Sequence, residues 1–298
     1  MSTKARLLSV SAVLFASLAL AGISAVATAA DIRIVSDFGT VPESCVIAPD
    51  GKVYVSVTNE YDKYGDGYVG VVEGNTLKPV AKGLNDPHGL DLWKGALYSA
   101  DNRGQVWKVD LNGTVTKVAD SGMFPRKVTN FNDIEIDERN GDIYVSDSGD
   151  WEGRGGVIFK ITQDGDVSVV FSDEKVGGWQ LISPNGLLFE DRDNLLVLDW
   201  TTGNLHRLNL KTKSFVKLNG GWGPGDGLAR GPDGELYVSA YYEGVYVLDK
   251  PDSEDRSKVY TLKALGVAST ADINVSTDGK LLCVPDFDGH KVALVPLK

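Results

Sequence analysis

A short strand rich in Val, Leu and Tyr recurs six times along the chain, and this repeat restricts the possible folds more than any other feature. Two further strand-like segments follow most copies, and an Asp-Gly or Asn-Gly turn signal precedes four of them. The copies are spaced by roughly 40 to 50 residues, which is the period of the blades of a β-propeller. They lie at residues 53–57, 96–100, 143–146, 195–198, 236–239 and 281–284.

The repeat predicts an all-β fold, a six-bladed β-propeller of four-stranded blades. The last copy ends after a strand at residues 290–296 and lacks a fourth strand, whereas residues 32–36 form a strand at the N-terminus with no other partner. If this strand is the outer strand of the last blade, two exposed sheet edges disappear. We therefore predict one domain, residues 31–298, closed into a ring by its own N-terminal strand.

Residues 1–30 have the pattern of a signal peptide. Lys4 and Arg6 precede an apolar run at residues 7–26, and small residues at 27–30 precede Asp31. An uncleaved membrane anchor is the alternative, because the run is long enough to span a bilayer. The small residues favour cleavage, so we expect an exported protein, periplasmic or secreted, with no membrane contact after cleavage.

The charge of the chain narrows the classes of partner. The chain carries 41 acidic and 30 basic residues and a formal net charge of −11, and cleavage of the leader would remove two of the basic ones. Such a surface repels phosphate backbones and anionic lipids, so we expect neither nucleic acid nor a membrane surface as a partner. A carboxylate site for a cation is compatible with the same charge.

Two cysteines, Cys45 and Cys283, are predicted on inner strands of adjacent blades. Disulfides form outside the cytoplasm, and a bridge here would close nearly the whole ring. The sequence does not tell whether the two Cβ atoms meet, and it favours two buried free thiols over a bridge.

Six residues begin the innermost strands of the six copies, and in a propeller these positions converge on one mouth of the central channel. Four of the six offer side-chain oxygens, and two of those four are carboxylates. Such a set predicts a site for one hard divalent cation, most naturally Ca²⁺, with Zn²⁺, Mn²⁺ and Mg²⁺ as alternatives. An Asn or Asp before Gly is also common in turns, but four equivalent positions favour the metal. The six residues are Glu43, His88, Asn132, Asn185, Asp226 and Ala271, and the predicted ligands are Glu43, Asn132, Asn185 and Asp226.

Other polar and aromatic residues are expected around this ring. Asp133, next to Asn132, is predicted to orient a ligand. Asp272 aligns with Asp133 in the last blade and could do the same or help to hold a second ion. The loops between second and third strands open on the same face and would line a small-molecule pocket. Their candidate substrate-binding residues are Asp101, Arg103, Trp151, Trp200 and Tyr241.

At the predicted ligands the sequence resembles the senescence marker protein/gluconolactonase family, which includes regucalcin. The resemblance spans residues 31–298, and it implies a six-bladed propeller, a divalent metal at the channel mouth, and hydrolysis of lactones or related esters. The motifs that carry it are Pro42-Glu43-Ser44, Asn130-Phe131-Asn132-Asp133, Ser183-Pro184-Asn185-Gly186-Leu187 and Gly225-Asp226-Gly227.

Two segments bear on how far the resemblance extends. Asp86-Pro87-His88-Gly89-Leu90 is similar to the paraoxonase segment that carries a proposed general-base histidine, although residues 101–103 contain no second histidine. The gluconolactonases have an arginine that helps to bind the sugar acid two positions before the residue matching Asn132, and this chain has Asn130 there. The resemblance therefore does not carry gluconolactone over as the substrate.

Together these features predict a metal-dependent hydrolase that acts on a small-molecule lactone or ester. The base that activates water is either His88, whose ordinary pKa is near neutral, or Asp226, which could also be a nucleophile. The alternative is a non-catalytic periplasmic propeller that binds a small ligand or a protein partner and holds a structural metal. A strictosidine synthase-like lyase would not need the four oxygen ligands.

Overall fold

The computed structural model describes residues 31–36, 39–61, 63–150, 154–172 and 183–297. The predicted signal peptide, residues 1–30, and Trp151 lie outside these ranges. Within them, no helix has both the length and the apolar character needed to cross a bilayer.

Six separate sheets, each of four antiparallel strands, form the six blades of a propeller, as the repeat predicts. The only helices among the described residues are a 3₁₀ turn at Ser121–Met123 and α1 at Leu262–Leu265. The strands are β1 Arg33–Val35; β2 Pro42–Ile47, β3 Val53–Val57, β4 Gly67–Glu73 and β5 Thr76–Leu84 in blade 1; β6 Pro87–Trp93, β7 Ala96–Asp101, β8 Gln105–Asp110 and β9 Val115–Ala119 in blade 2; β10 Phe131–Ile136, β11 Ile143–Asp147, β12 Val157–Ile161 and β13 Val167–Ser172 in blade 3; β14 Pro184–Phe189, β15 Asn194–Asp199, β16 Leu205–Asn209 and β17 Phe215–Asn219 in blade 4; β18 Gly225–Arg230, β19 Leu236–Ala240, β20 Gly244–Leu248 and β21 Val259–Thr261 in blade 5; and β22 Asn274–Val275, β23 Leu281–Asp286 and β24 Lys291–Pro296 in blade 6.

The N-terminal strand closes the ring. Strand β1 pairs antiparallel with β24, with Ile34 opposite Ala293, so the sheet order in blade 6 is β1-β24-β23-β22. This confirms the predicted closure. The outermost strand of blade 6 therefore comes from the opposite end of the chain, and the two chain ends hold each other in place.

A disulfide adds a covalent bond between blade 6 and blade 1, and the contact between these two blades is called the seam below. Cys45 on β2 is bonded to Cys283 on β23, and their Cα atoms are 6.5 Å apart, within the range that a bridge requires. The preference for two free thiols was therefore wrong. The sequence predicted both cysteines on inner strands of adjacent blades, but Cys283 lies on β23, the second strand of blade 6. The sequence also could not show that the two side chains face each other.

Apolar side chains fill the space between successive blades. The second strands β3, β7, β11 and β19 are buried at every residue, because neighbouring blades cover both of their faces. Between blades 2 and 3, for example, Phe124, Phe131 and Phe159 meet edge to face at ring-centroid distances of 4.9–6.0 Å. This two-sided burial explains why these strands are mostly apolar and do not alternate with exposed polar residues, even though each contains one buried Ser.

The inner strands of adjacent blades belong to different sheets, and polar side chains connect them. Asp91 on β6 accepts a hydrogen bond from the backbone N–H of Ile136 on β10 at 2.9 Å. Glu135 on β10 in turn accepts from Phe189 N–H on β14 at 2.9 Å. These carboxylates satisfy N–H groups that would otherwise be unpaired inside the channel.

The closing disulfide yields a test of the seam. Cys45→Ala combined with Cys283→Ala removes the constraint that the bridge places on the unfolded chain, and we expect the free energy of unfolding to fall by about 2–5 kcal/mol. Urea unfolding measures this change. Reductant should lower the stability of the unmodified protein and leave the double variant unchanged. Equal stability of oxidised and reduced protein would contradict a structural role for the bridge.

Candidate active site

The four predicted ligands occupy equivalent positions in four blades. Each is the second residue of an inner strand, on β2, β10, β14 and β18 respectively, and His88 has the same place on β6. Glu43 and Asp226 are each 4% exposed and Asn185 is 1% exposed, while Asn132 is partly buried. All five residues thus lie at the same end of their inner strands; their role as ligands stays a prediction.

The glycines that follow three of the ring residues allow close contact between blades. A Cβ atom on Gly89 would lie 2.6 Å from Asp133 Cα, and one on Gly227 would lie 2.6 Å from Asp272 Cα. Gly186 is similarly close to the Asp226 carbonyl oxygen, at 2.4 Å. None of these glycines has a positive φ, so the pairs His-Gly, Asn-Gly and Asp-Gly are not turns. They let the inner strands approach one another until the ring residues meet.

Within the described part of the chain, each of the four predicted ligands has one buried oxygen without a hydrogen-bond partner. These atoms are Glu43 Oε2, Asn132 Oδ1, Asn185 Oδ1 and Asp226 Oδ1. A buried oxygen that accepts no hydrogen bond is costly and rare, and here four come from four different blades. Two carboxylate and two amide oxygens are the donor types that Ca²⁺ takes in proteins, so the residues present fit a hard divalent cation.

The composition of the ring argues against a zinc-type site. Among the described residues, no three or more His, Cys, Asp or Glu side chains are grouped so as to hold a metal ion. The ring has only Glu43 and Asp226 of these types among its four predicted ligands, and it depends on amide oxygens for the remainder. Such a set is selective for cations that prefer oxygen.

Electrostatic repulsion is concentrated at this ring. Burial raises the pKa of Glu43 well above its usual value, and the carboxyl groups of Asp226, Asp272 and Asp133 raise it further. The pKa of Asp226 is raised by burial and by Asp272, and lowered in part by the Asn185 side chain. Since desolvation and like charges both disfavour ionisation, a cation bound between these groups would relieve both effects.

Asp133 and Asp272 lie directly beneath the ring, where the sequence predicted orienting residues. Asp133 accepts a hydrogen bond from Leu187 N–H in the next blade at 2.6 Å. Ser44 Oγ donates to Asp272 Oδ2 at 2.5 Å and accepts from Leu90 N–H at 3.1 Å. These two hydrogen bonds link blades 6, 1 and 2 immediately behind Glu43.

His88 differs from its expected chemistry. It is 4% exposed, neither ring nitrogen has a hydrogen-bond partner, and its ring lies 5.9 Å from that of Tyr61. Burial lowers its pKa to about 3, whereas the sequence analysis assumed a value near neutral. The imidazole is therefore neutral and a weak base, and the paraoxonase-like role of His88 stays a prediction.

A cavity of about 260 Å³ opens beside the ring. Trp200 is half-buried, and its ring packs edge to face against that of Tyr241 at 5.1 Å. Tyr241 donates a hydrogen bond to Asp288 at 3.1 Å and so stands behind Trp200. The cavity is lined by Asn130, Asn132, Ser148, Asp150, Ser183, Trp200, Thr201 and Pro224.

Among the described residues, Arg103 and Asp101 are not part of the lining of this cavity. Arg103 lies 3.1 Å from the buried Asp86 carboxylate and over the Tyr64 ring. Asp101 is completely buried and accepts hydrogen bonds from backbone N–H groups and from Trp107 Nε1. The sequence offered Asp101 as a residue that binds substrate or supports the site from behind, and its hydrogen bonds favour the supporting role.

A larger cavity of about 600 Å³ lies at the other end of the channel, around the C-terminal ends of the inner strands. Its carboxylates include Asp91, Asp133, Glu135 and Asp272. Each accepts a hydrogen bond from a neighbouring strand, so these groups hold blades together. The mouth ring differs because its oxygens have no such partners.

The sequence analysis missed a second repeat near the mouth. Four buried aspartates end the second strands β7, β11, β15 and β23 and accept hydrogen bonds from the segments just before the inner strands. Aligning the chain with itself at the ends of these strands would have found them. They are Asp101, Asp147, Asp199 and Asp286.

Comparison with solved structures identifies proteins of the same fold. The X-ray structure of a proposed gluconolactonase superposes with a TM-score of 0.68 at 22% identity, covering 90% of this chain and 92% of that one. A gluconolactonase from Xanthomonas campestris gives 0.68 at 17% identity, with 91% and 92% covered. A chain of a nidogen–laminin complex gives 0.60 at 18%, with 83% and 90% covered. By sequence, no family model and no curated protein matches. At these identities the likeness establishes the fold alone.

Buried carboxyl groups make the stability of the protein depend on pH. Burial raises the pKa of Asp91 to about 6 and that of Asp272 to about 7, from 3.8. At pH values between 3.8 and about 7 the folded state therefore holds more protons than the unfolded state. Its stability falls as the pH rises through this range. In chelator-treated protein we expect the free energy of unfolding to be roughly 1–3 kcal/mol lower at pH 8 than at pH 5.

Urea unfolding at the two pH values measures this difference. Asp91→Asn should reduce it, because one of the ionising groups is gone. The exposed Asp233→Asn serves as the matched control and should leave the difference unchanged. Stability that increases from pH 5 to pH 8 would contradict the assignment.

Proposed function

We propose that the protein is an exported, divalent-cation-dependent hydrolase of lactones or related esters that acts at the mouth ring. The observation that carries this proposal is the set of four buried, unpartnered oxygens that converge from four blades. The fold shared with two proteins named as gluconolactonases supports it. Export rests on the signal-peptide pattern of residues 1–30.

Glu43, Asn132, Asn185 and Asp226 would hold the cation, for which we propose Ca²⁺ because all four donors are oxygens. When bound, such an ion supplies a Lewis acid that polarises the substrate carbonyl and stabilises the negative charge that develops on its oxygen. We propose a single ion. Asp272, the candidate for a second one, already accepts hydrogen bonds from Ser44 Oγ and from Ile273 N–H.

Asp226 is the better candidate for the base that takes the proton of the attacking water. As a ligand it would lie next to the water that the cation activates, although the cation would also lower its pKa, which burial and Asp272 raise in the cation-free ring. His88, with a pKa of about 3, would instead pack against the substrate as a neutral ring. Asp133 and Asp272 keep the inner strands in register beneath the ring.

The cavity beside the ring indicates a small substrate. Its volume of about 260 Å³ holds a molecule of modest size. Its described lining combines hydroxyl and amide groups, the Asp150 carboxylate and the aromatic face of Trp200. Asn130, whose Oδ1 accepts from Asn102 Nδ2 at 2.6 Å, is held at the position where the family resemblance places an arginine. We therefore propose a lactone or ester that does not depend on a cationic contact at this point.

The second candidate function is a propeller that binds a ligand or partner without turning it over. The fold likeness to a chain of a nidogen–laminin complex favours it, because it shows that such rings also occur in protein assemblies. A catalytic test separates the two functions.

We expect the purified protein to hydrolyse at least one compound in a screen of lactones and aryl esters. Chelation should abolish turnover and added Ca²⁺ should restore it. Asp226→Ala should lower kcat/KM by about 100-fold or more, the scale of losing a group that stabilises developing charge. The exposed Asp278→Asn, in a turn at the other end of blade 6, is the control and should retain full activity. Turnover that survives both chelation and Asp226→Ala would refute the site.

The choice of base is tested by His88→Gln. A general base contributes about 10²–10⁴-fold, so a loss of less than about 10-fold is expected if Asp226 is the base. The pH dependence of kcat should then keep its acid limb. A loss of 100-fold or more, together with disappearance of that limb, would return the role to His88.

A further inference from the structure

The four buried aspartates that end the second strands, Asp101, Asp147, Asp199 and Asp286, are named here the aspartate clasps. We infer that two of them, Asp147 and Asp199, are positioning residues that hold the amide ligands Asn132 and Asn185 in the mouth ring. This inference rests on the proposed function, and it adds residues that do not touch the cation.

The clasps share one geometry. Asp147 accepts hydrogen bonds from the consecutive backbone N–H groups of Thr129 and Asn130, each at 2.8 Å, and from Gly149 N–H at 3.0 Å. Asp199 accepts from Ser183 N–H at 2.9 Å and from Thr202 N–H at 2.8 Å. Each carboxylate thus ties the segment before the inner strand to the turn that follows its own strand.

The clasped backbone lies very close to the ligands. Asn130 is two residues before Asn132, and Ser183 is two residues before Asn185. A single residue separates the held N–H from the ligand, so a shift at the clasp passes directly to the amide oxygen. Asp147 and Asp199 are 0% and 1% exposed, and bonds of this kind are strong in a buried setting.

An aspartate clasp occurs only in blades whose ring residue is not a carboxylate. In blades 1 and 5 the clasp position is Val57 or Ala240, opposite Pro42 or Gly225. These are the two blades whose ring residue is a carboxylate, Glu43 or Asp226. The four clasped blades have neutral ring residues instead: His88, Asn132, Asn185 and Ala271.

Two physical reasons account for this division. A second buried carboxylate beside Glu43 or Asp226 would add like-charge repulsion where the pKa values are already raised. A neutral amide oxygen is attracted to a cation less strongly than a carboxylate, so its orientation depends more on the backbone that carries it. In blade 5, Pro224 occupies the place of Ser183 and has no N–H to satisfy.

Asp286 separates a positioning role from a purely structural one. It accepts from Ala268 and Ser269 N–H groups, each at 2.8 Å, with the same geometry as Asp147. The ring residue of its blade is Ala271, which offers no side-chain oxygen. Loss of this clasp should therefore weaken the fold in the same way and leave the cation site intact.

The experiment compares Asp147→Asn, Asp199→Asn and Asp286→Asn in the full-length mature protein. In each variant a side-chain N–H replaces an acceptor oxygen and faces a backbone N–H. Titration calorimetry with Ca²⁺ alone measures the affinity, and thermal unfolding in chelator measures the stability. We expect Asp147→Asn and Asp199→Asn to weaken Ca²⁺ binding about 10–100-fold, and Asp286→Asn to change it by less than about 2-fold.

Equal Ca²⁺ affinity in all three variants, or an equal loss in all three, would overturn the inference. Should the aspartate variants fail to fold, Ser183→Pro tests it in their place, because Pro224 shows that the equivalent backbone accepts proline. Ser183→Pro removes the N–H that Asp199 holds and should also weaken binding about 10-fold; unchanged affinity would overturn the inference. If the unmodified protein binds no divalent cation, the proposed function itself fails, which is a different result from equal affinities among the variants.

Discussion

Six inner strands run side by side around the channel without pairing with one another, and the rest of the structure depends on how their polar groups are satisfied. Strands of one sheet satisfy their N–H groups through the ladder, whereas strands of different blades cannot. Side chains of Asp91, Asp133 and Glu135 supply the missing acceptors by bonding to backbone N–H groups of the next blade. Since these acceptors are carboxylates, the solution brings negative charge into the channel, and burial raises the pKa of each.

The same negative charge surrounds the mouth, where we propose that a cation binds. Glu43 and Asp226 lie above Asp133 and Asp272, and all four have raised pKa values. The lower two accept hydrogen bonds from neighbouring blades, whereas the upper two each present one oxygen that has no partner among the described residues. A fold that needed only to hold its blades together would have no use for these upper oxygens. Along the channel axis, hydrogen-bonded carboxylates therefore lie below and the oxygens that we propose as cation ligands lie above.

The sequence predicted features that recur, and it failed where the outcome depends on distances between blades. Six apolar strands and one unpaired strand were enough to predict the ring and its closure by β1. The disulfide was missed because it depends on how Cys45 and Cys283 face each other across the finished seam. The pKa of His88 was misjudged because burial is a property of the whole mouth. Gly89 and Gly227 resemble turn residues in sequence, and only the packed blades show that they make room for Asp133 and Asp272.

The propeller fold does not determine the activity of the protein, whereas the ring residue of each inner strand can. Rings of this shape occur both in proteins named as gluconolactonases and in a nidogen–laminin complex, so the propeller itself does not select an activity. What can select it is the residue that begins each inner strand and the group that holds that residue. In this chain a blade presents either a ring carboxylate or an aspartate clasp behind a neutral residue. That alternation keeps a clasp aspartate out of blades 1 and 5, where Glu43 and Asp226 lie. We propose that it lets Asn132 and Asn185 serve as ligands where further carboxylates would repel one another. The arrangement is what a cation site requires if it is to be built into a channel that is already acidic.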